Sequence, residues 1–171
     1  MCIRDRGYSV SEVSQGESYA VGPNITINVL WPLKNPPPPS SNPNGTEINN
    51  GSIALIIHDR FFTLFAGGDV ETDAQMQIAA SGMVSPVDIL KVSHHGSKSQ
   101  YLPLLDALSP RVAFISVGKG NMYGHPAPSL IAALKSRHIA TYRTDLDGAL
   151  AFDSHLRERS MHRQWWNLGL D

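Results

Sequence analysis

The sequence predicts a layered α/β domain, and three observations support this. Apolar runs of strand character form a hairpin in the first half, then alternate with helix-like segments and end in a final pair of short strands. Such alternation is typical of a sheet whose faces are covered by helices. The length of 171 residues suits one domain, and 42% hydrophobic with 17% charged residues is the composition of a globular protein.

The first half of the chain is expected to form strands around one polar loop. Residues Ile25–Pro32 alternate apolar and polar side chains and stop at a proline, which indicates a strand. The segment Lys34–Ser52 is rich in Pro, Asn, Ser and Gly, so it cannot bury much surface and is predicted to be a mobile surface loop. Residues Ile53–Asp59 and Phe61–Gly68 are predicted to form a β-hairpin with a tight turn near Arg60.

Helices and strands are expected to alternate in the second half. Good helix formers followed by glycine predict a helix near Val70–Ser81, and Val87–Val92 is predicted to be a buried strand. We predict a short helix at Tyr101–Leu108, a strand at Val112–Gly118 and an amphipathic helix at Ala127–His138. Two short strands follow at Ala140–Thr144 and Gly148–Phe152. Residues 156–171 are cationic and aromatic, which favours a tail that packs on a neighbour or continues into another domain, with a nucleic-acid-binding patch as the alternative.

Charge and cysteine content exclude several classes of protein. The net charge is −1, so the chain lacks the overall basic field of many nucleic-acid-binding domains. Cys2 is the only cysteine, which rules out an internal disulfide and a CxxC zinc site. No apolar run approaches the roughly 18 residues of a membrane helix and no signal-peptide core is visible, so the piece is expected to be soluble. The opening "MCIRDR" resembles translated adapter sequence, so residues 1–6 are expected to be a non-native leader, with a short native arm as the alternative.

Three loops that follow apolar strands or contain Gly and Pro carry the residues suited to chemistry. Because a sheet holds such loops still while they face solvent, they commonly collect active-site groups. The candidates lie in "GGDVE", "SHHGSKS" and "NMYGHPAP", and they are Asp69, Glu71, His94, His95, Ser97, Lys98, Asn121, Tyr123 and His125.

Each candidate also has a structural interpretation. Asp69 precedes a predicted helix and could be its N-cap. Adjacent residues of a strand point to opposite faces, so His94 and His95 share one cleft only if the strand has ended and the chain turns at Gly96. In that case their imidazoles, with a carboxylate, suit Zn, Mn or Fe; otherwise they face solvent or form hydrogen bonds. His125 in its Gly-His-Pro turn is either a ligand or general acid, or part of a capped turn.

The remaining polar residues are weaker candidates. Lys98 and Ser97 could orient a phosphate oxygen beside a metal, although a solvated loop lysine is the better interpretation of Lys98 on local grounds. The other histidines lack comparable settings and are expected on the surface or in the tail: His58, His138, His155 and His162.

The order of these motifs resembles the C-terminal half of the metallo-β-lactamase-like domain of ComEC-type competence proteins, the DNA-uptake channel proteins of bacteria. The matching stretches run from about Asn49 to Leu150 and are "NNGSIALII", "LFAGGDVE", "VDILKVSHHGSKS", "SPRVAFISVGKGNMYGHP" and "YRTDLDGAL". The resemblance implies an αββα sandwich, here incomplete at its N-terminus, with a hydrolase site at the strand ends. Residues 7–155 would be the C-terminal part of that domain, with the Pro/Asn-rich loop at 34–52.

The resemblance also implies roles for the candidates. Asp69 would be a ligand that can bridge two divalent ions, Zn or Mn, and His94 or His95 would supply the next ligand. His125 would be a further ligand or a substrate contact. The implied catalytic residues are Asp69, His95 and Lys98. The implied substrate contacts are Ser97, Lys98, Asn121 and Tyr123. The substrate would be single-stranded DNA or another phosphodiester, in a plasma-membrane protein whose channel domain lies on the same chain.

One departure from the family pattern limits this interpretation. The HxDxDH-like motif expected before the hairpin is absent, and residues 1–24 contain no histidine. A catalytic zinc site takes three protein ligands with ordered outer partners, so the isolated chain is expected to bind metal weakly or not at all and to be inactive. The alternatives are a stand-alone hydrolase of small esters, lactones or phosphodiesters and a non-catalytic DNA-binding module.

Overall fold

The computed structural model describes residues 7, 10–37, 40–153, 156 and 158–160. The predicted leader, most of the predicted tail, and His155 and His162 lie outside the described residues. The strands are β1 (Ser18–Val21), β2 (Ile25–Trp31), β3 (Ala54–His58), β4 (Thr63–Ala66), β5 (Ile89–Lys91), β6 (Val112–Ile115), β7 (Ala140–Arg143), β8 (Leu150–Phe152) and β9 (Glu158–Ser160). The helices are α1 (Gly45–Asn49), α2 (Thr72–Ala80), α3 (Leu102–Leu108), α4 (Pro128–Ser136) and α5 (Thr144–Asp147).

The main sheet contains seven strands in the order in which they occur along the chain. Strands β1 to β4 pair antiparallel, and β4 to β7 pair parallel. The predicted hairpin is confirmed as β3 and β4, with Ile56 opposite Phe65. The α/β class and the alternation of helix and strand after the hairpin are confirmed as well.

The helices between the parallel strands cover one face of this sheet. Strands in sequential order joined by right-handed crossovers place their helices on the same side. Side chains from α2, α3 and α4 accordingly meet Phe65 and Leu90 around one shared small cavity. On the opposite face, Phe152 of β8 packs edge-on against Phe114 and Tyr142, at ring-centroid distances of 4.5 and 5.2 Å. The sheet therefore lies between a helical layer and a smaller β layer.

The final two predicted strands do not pair with each other. β7 adds to the edge of the main sheet beside β6. β8 pairs with β9 in a separate two-stranded sheet, and the short helix α5 separates β7 from β8. The prediction of a final β pair was wrong in this respect, because the partner of β8 comes from residues that had been assigned to the tail.

The Pro/Asn-rich segment is more ordered than its composition predicts. It contains α1, whose N-cap Asn44 accepts a hydrogen bond from the Glu47 amide while the Glu47 carboxylate accepts one from the Asn44 amide. This reciprocal capping box satisfies amides that would otherwise lack partners at the helix start. The prediction of a mobile loop over Lys34–Ser52 therefore fails at α1. No helix among the described residues is long and apolar enough to cross a membrane.

Candidate metal and substrate site

Asp69 lies in the loop after β4 and does not cap α2. The N-cap of α2 is Glu71, whose side chain makes no capping hydrogen bond. The Asp69 amide donates to Ser52 Oγ at 3.0 Å, and its side chain is 39% exposed. The structure thus removes the capping interpretation of Asp69 and leaves its carboxylate free to face a ligand.

The two histidines lie in a left-handed turn that follows β5. His94 has φ 48° and ψ 45°, and His95 has φ 54° and ψ 20°. Gly96 continues the turn with φ 81°. Left-handed backbone costs an ordinary residue about 1–2 kcal/mol, so two such residues in succession indicate stored strain, which is found most often at functional sites. Because the strand has ended, both rings reach the same pocket, as the sequence required for joint action.

His95 is oriented by a backbone carbonyl. Its Nδ1 lies 2.6 Å from the carbonyl oxygen of Ser116, an acceptor, so Nδ1 carries the proton in that hydrogen bond. The other nitrogen, Nε2, is then unprotonated in the neutral ring and lies 3.6 Å from Asp69 Oδ1. The Nε2 lone pair of His95 and a carboxylate oxygen of Asp69 thus face each other 3.6 Å apart.

His94 faces the carboxylate of Glu71. Its Nδ1 lies 3.2 Å from Glu71 Oε1, but the angle falls outside that of a hydrogen bond, so Nδ1 is buried without a hydrogen-bond partner among the described residues. Burial of the Glu71 carboxylate raises its pKa, but hydrogen bonds from Asn49 and Thr46 and the nearby His94 outweigh that effect, and the net pKa is lowered. Glu71 is therefore held as an anion beside the ring.

His125 completes the imidazole cluster. Its ring centroid is 5.5 Å from that of His94. The ring of Tyr123 stacks against the His125 ring at a centroid distance of 6.2 Å. Desolvation lowers the pKa of His125, and the neighbouring His94 and His95 lower it further. The ring is therefore disposed to remain neutral, which is the form that binds a metal.

These residues line one open pocket of about 350 Å³ at the ends of β4, β5 and β6. Its lining residues are Asp69, His94, His95, Val117, Gly118, Asn121, Tyr123 and His125. The structure thus brings together six of the predicted site residues. Three of the candidates lie outside the pocket lining, and one of them, Glu71, faces His94. Ser97 is only 3% exposed and its hydroxyl accepts from the Ser99 amide, so it is not available to a substrate. Lys98 is exposed on the surface beside the pocket.

The donor set suits a divalent ion on one side of this pocket. Two atoms bound to one tetrahedral zinc at about 2.0–2.1 Å lie roughly 3.3–3.5 Å apart, close to the 3.6 Å between His95 Nε2 and Asp69 Oδ1. Among the described residues, however, no group of three or more His, Cys, Asp or Glu side chains is arranged to hold one ion. The residues therefore fit part of a coordination shell.

The wall of the pocket depends on Thr144, which sequence reasoning missed. The Thr144 hydroxyl donates to the Val117 carbonyl at 2.7 Å and accepts from the Val117 amide at 2.8 Å. Val117 and Gly118 line the pocket together with Asp69. No local signal in "YRTDLDG" indicates this contact, because it joins residues 27 positions apart.

We expect Thr144→Val to destabilise the chain by about 1–3 kcal/mol, since it leaves two buried backbone groups of Val117 without partners. Chemical denaturation measures the loss, and hydrogen exchange should show faster exchange of the Val117 amide. Thr144→Ser keeps the hydroxyl and should be near wild type. Equal stability of the Val and Ser variants would contradict the role of the hydroxyl.

Sequence comparison finds three curated bacterial relatives. The chain is 30% identical over 150 residues to ComE operon protein 3 of Bacillus subtilis, 33% over 91 residues to Competence protein ComA of Neisseria gonorrhoeae, and 31% over 103 residues to Recombination protein 2 of Haemophilus influenzae. The matches cover 87%, 52% and 58% of this chain but 18%, 13% and 13% of the relatives. The chain thus spans less than a fifth of their length. No protein-family model matches it.

Structure comparison finds the same fold in a protein of Parabacteroides distasonis that is provisionally named a metal-dependent hydrolase. The TM-score is 0.52 at 13% sequence identity, and the match covers 83% of this chain and 60% of that chain. At this identity the likeness is one of fold.

Proposed function

We propose, from the premise that this chain belongs to the ComEC-type competence proteins, that its pocket is one side of a metal-dependent hydrolase site that cleaves phosphodiester bonds of DNA during uptake. The single observation that carries the proposal is the pairing of His95 Nε2 with Asp69 Oδ1 at 3.6 Å inside the pocket. The hydrolase fold of the structural neighbour supports it.

Asp69 and His95 would hold a divalent ion, with His94 and His125 near enough to add a ligand or contact the substrate. A bound Zn or Mn ion supplies a Lewis acid and lowers the pKa of a bound water, which is the chemistry that phosphodiester hydrolysis needs. The chain's own contribution is to fix these side chains. Ser116 holds the His95 ring through its carbonyl, and Ser52 holds the backbone of Asp69.

The rim of the pocket suits a single strand of nucleic acid. Tyr123 lines the pocket and is 84% exposed, and the neighbouring residue Met122 is 96% exposed, so two large apolar side chains stand in solvent here. Asn121 accepts from the Tyr123 amide through Oδ1, which leaves its amide nitrogen for another acceptor. Exposed aromatic rings bind single strands by stacking on bases, without sequence preference. We therefore propose single-stranded DNA as the substrate, with Tyr123 as a stacking platform.

We expect Tyr123→Ala to weaken the binding of a labelled single-stranded oligonucleotide about 5- to 150-fold, which corresponds to the roughly 1–3 kcal/mol of one base–aromatic stack. Fluorescence anisotropy at fixed salt measures the affinity. Tyr123→Phe retains the ring and should bind like wild type. If Tyr123→Ala and Tyr123→Phe bind equally well, the stacking role is refuted.

The function itself is testable in a chimaera. This chain replaces the matching segment of ComE operon protein 3 in Bacillus subtilis, and transformation by added DNA is measured. We expect the chimaera to support transformation and the Asp69→Ala, His95→Ala double variant to abolish it. Asp73→Asn, which removes an exposed carboxylate of α2 outside the pocket, is the control. A double variant that transforms normally would leave DNA binding without chemistry as the function of this part of the chain.

A further inference from the structure

Glu71 is held by three hydrogen bonds to the Pro/Asn-rich segment, two to its carboxylate and one from its backbone amide. Asn49 Nδ2 donates to Oε1 at 2.7 Å, and Thr46 Oγ1 donates to Oε2 at 3.0 Å. The Glu71 amide donates to Asn50 Oδ1 at 2.7 Å. Two of these residues belong to α1 and the third is its C-cap. A short capped helix in a segment of loop composition is therefore attached to Glu71, the N-cap of α2, by the side chains of Thr46, Asn49 and Asn50.

The carboxylate so held faces an imidazole nitrogen that needs an acceptor. His94 Nδ1 is fully buried and lacks a hydrogen-bond partner among the described residues, while Glu71 Oε1 lies 3.2 Å away. A buried polar atom without a partner costs about 1–3 kcal/mol, so such an atom calls for an explanation. The carboxylate is the acceptor within reach.

We propose that Glu71 is a positioning residue that accepts the Nδ1 proton of His94, and that α1 holds Glu71 in place for this purpose. His94 then matches His95, whose Nδ1 is taken by the Ser116 carbonyl. Each ring uses Nδ1 for a protein partner and keeps the lone pair of Nε2 for the pocket. Carboxylate partners of this kind fix the tautomer and orientation of metal-binding histidines. This inference rests on the proposed metal site, and it assigns α1 a role in that site.

The tautomer of His94 is measurable without metal or substrate. Long-range 1H–15N spectra of the 171-residue chain at about pH 8, where an ordinary imidazole is neutral, distinguish Nδ1–H from Nε2–H rings. His94→Asn identifies the signal among the seven histidines. We expect the Nδ1–H form in the wild type. We expect Glu71→Ala to convert it to the Nε2–H form, and Glu71→Gln, which keeps an oxygen acceptor, to retain Nδ1–H. An Nε2–H ring in the wild type, or no change in Glu71→Ala, overturns the inference.

A second experiment tests the role of α1 through Thr46, which donates a hydrogen bond to Glu71. Thr46→Val removes the hydroxyl that donates to Glu71 at nearly constant shape, whereas Thr46→Ser keeps it. Zn affinity is measured on the purified chimaeric protein. Loss of a direct partner of a ligand lowers metal affinity about 10- to 100-fold, and because Asn49 still holds Glu71 we expect a loss of about 10-fold for Thr46→Val and none for Thr46→Ser. Equal affinities in the two variants overturn the role of α1. If the proposed metal site is wrong, the wild type does not bind Zn and the tautomer result is unchanged. Failure of the metal site is therefore distinguishable from failure of the positioning role of Glu71.

Discussion

Replacing Asp69 or His95 by alanine removes the weak binding of Zn²⁺ or Mn²⁺ that we expect of this chain. A structural zinc site of four ligands provides roughly 10–16 kcal/mol, so two ligands provide about 5–8 kcal/mol, which corresponds to a Kd of about 1 μM to 0.2 mM. One ligand would provide about half of that, and the affinity would fall about 100-fold or more. Isothermal titration of the 171-residue chain and its two variants with each metal measures the change.

The exposed carboxylate of Asp73 again provides the control, because Asp73→Asn removes a charge of the same kind outside the pocket. Two results would contradict the expectation. Tight stoichiometric metal in the wild type would mean that the chain holds a complete site. Unchanged weak binding in both alanine variants would mean that the metal binds elsewhere.

Replacing Gly96 by alanine should destabilise the fold by about 2–5 kcal/mol. The left-handed backbone, with φ 81°, costs an L-residue about 1–2 kcal/mol. The added Cβ would also lie 2.7 Å from Pro126 Cβ and 3.2 Å from Pro126 Cα, and overpacking of this kind costs about 1–3 kcal/mol. The Gly96 carbonyl accepts from the Ala127 amide at 2.7 Å, so the two loops cannot separate freely. Urea denaturation measures the loss.

Gly118→Ala, at a glycine that lines the pocket, is the matched control. A Cβ at Gly118 meets nothing within 4 Å, and its backbone is not left-handed. We expect a change within about 0.5 kcal/mol, as for an ordinary surface substitution. Similar losses at both glycines would show that neither the clash nor the backbone angle decides the stability of this turn.

Local patterns in the sequence predict six of the seven strands of the main sheet, and β1 was not predicted. β2, the hairpin of β3 and β4, and the strands and helices from α2 to β7 all follow from apolar runs and their boundaries. α1 was missed although Asn44 and Glu47 stand in capping-box spacing, because the surrounding prolines favour a loop. The pairing of β8 with β9 is set by contacts that no local pattern specifies.

The candidate site was predictable as a set of loops but not as a geometry. The positions of Asp69, the histidine pair and His125 after buried strands indicated a shared edge of the sheet. The left-handed angles at His94 and His95 were not predictable, since non-glycine residues rarely adopt them. Nor was the contact between Glu71 and α1, because it is made by side chains 22 to 25 residues apart in sequence.

The strained turn at His94 and His95 has a consequence for how this sequence would diverge under relaxed selection. A glycine adopts left-handed angles without steric penalty, so a mutation that replaced either imidazole with hydrogen would relieve strain rather than add it. In a lineage that ceased to use the pocket, glycine would therefore be sterically tolerated at both positions, at the cost of the hydrogen bond between His95 and Ser116. The buried leucines and isoleucines would still be retained for stability. Replacement of the histidine pair by glycine is thus one change that a decayed activity would allow.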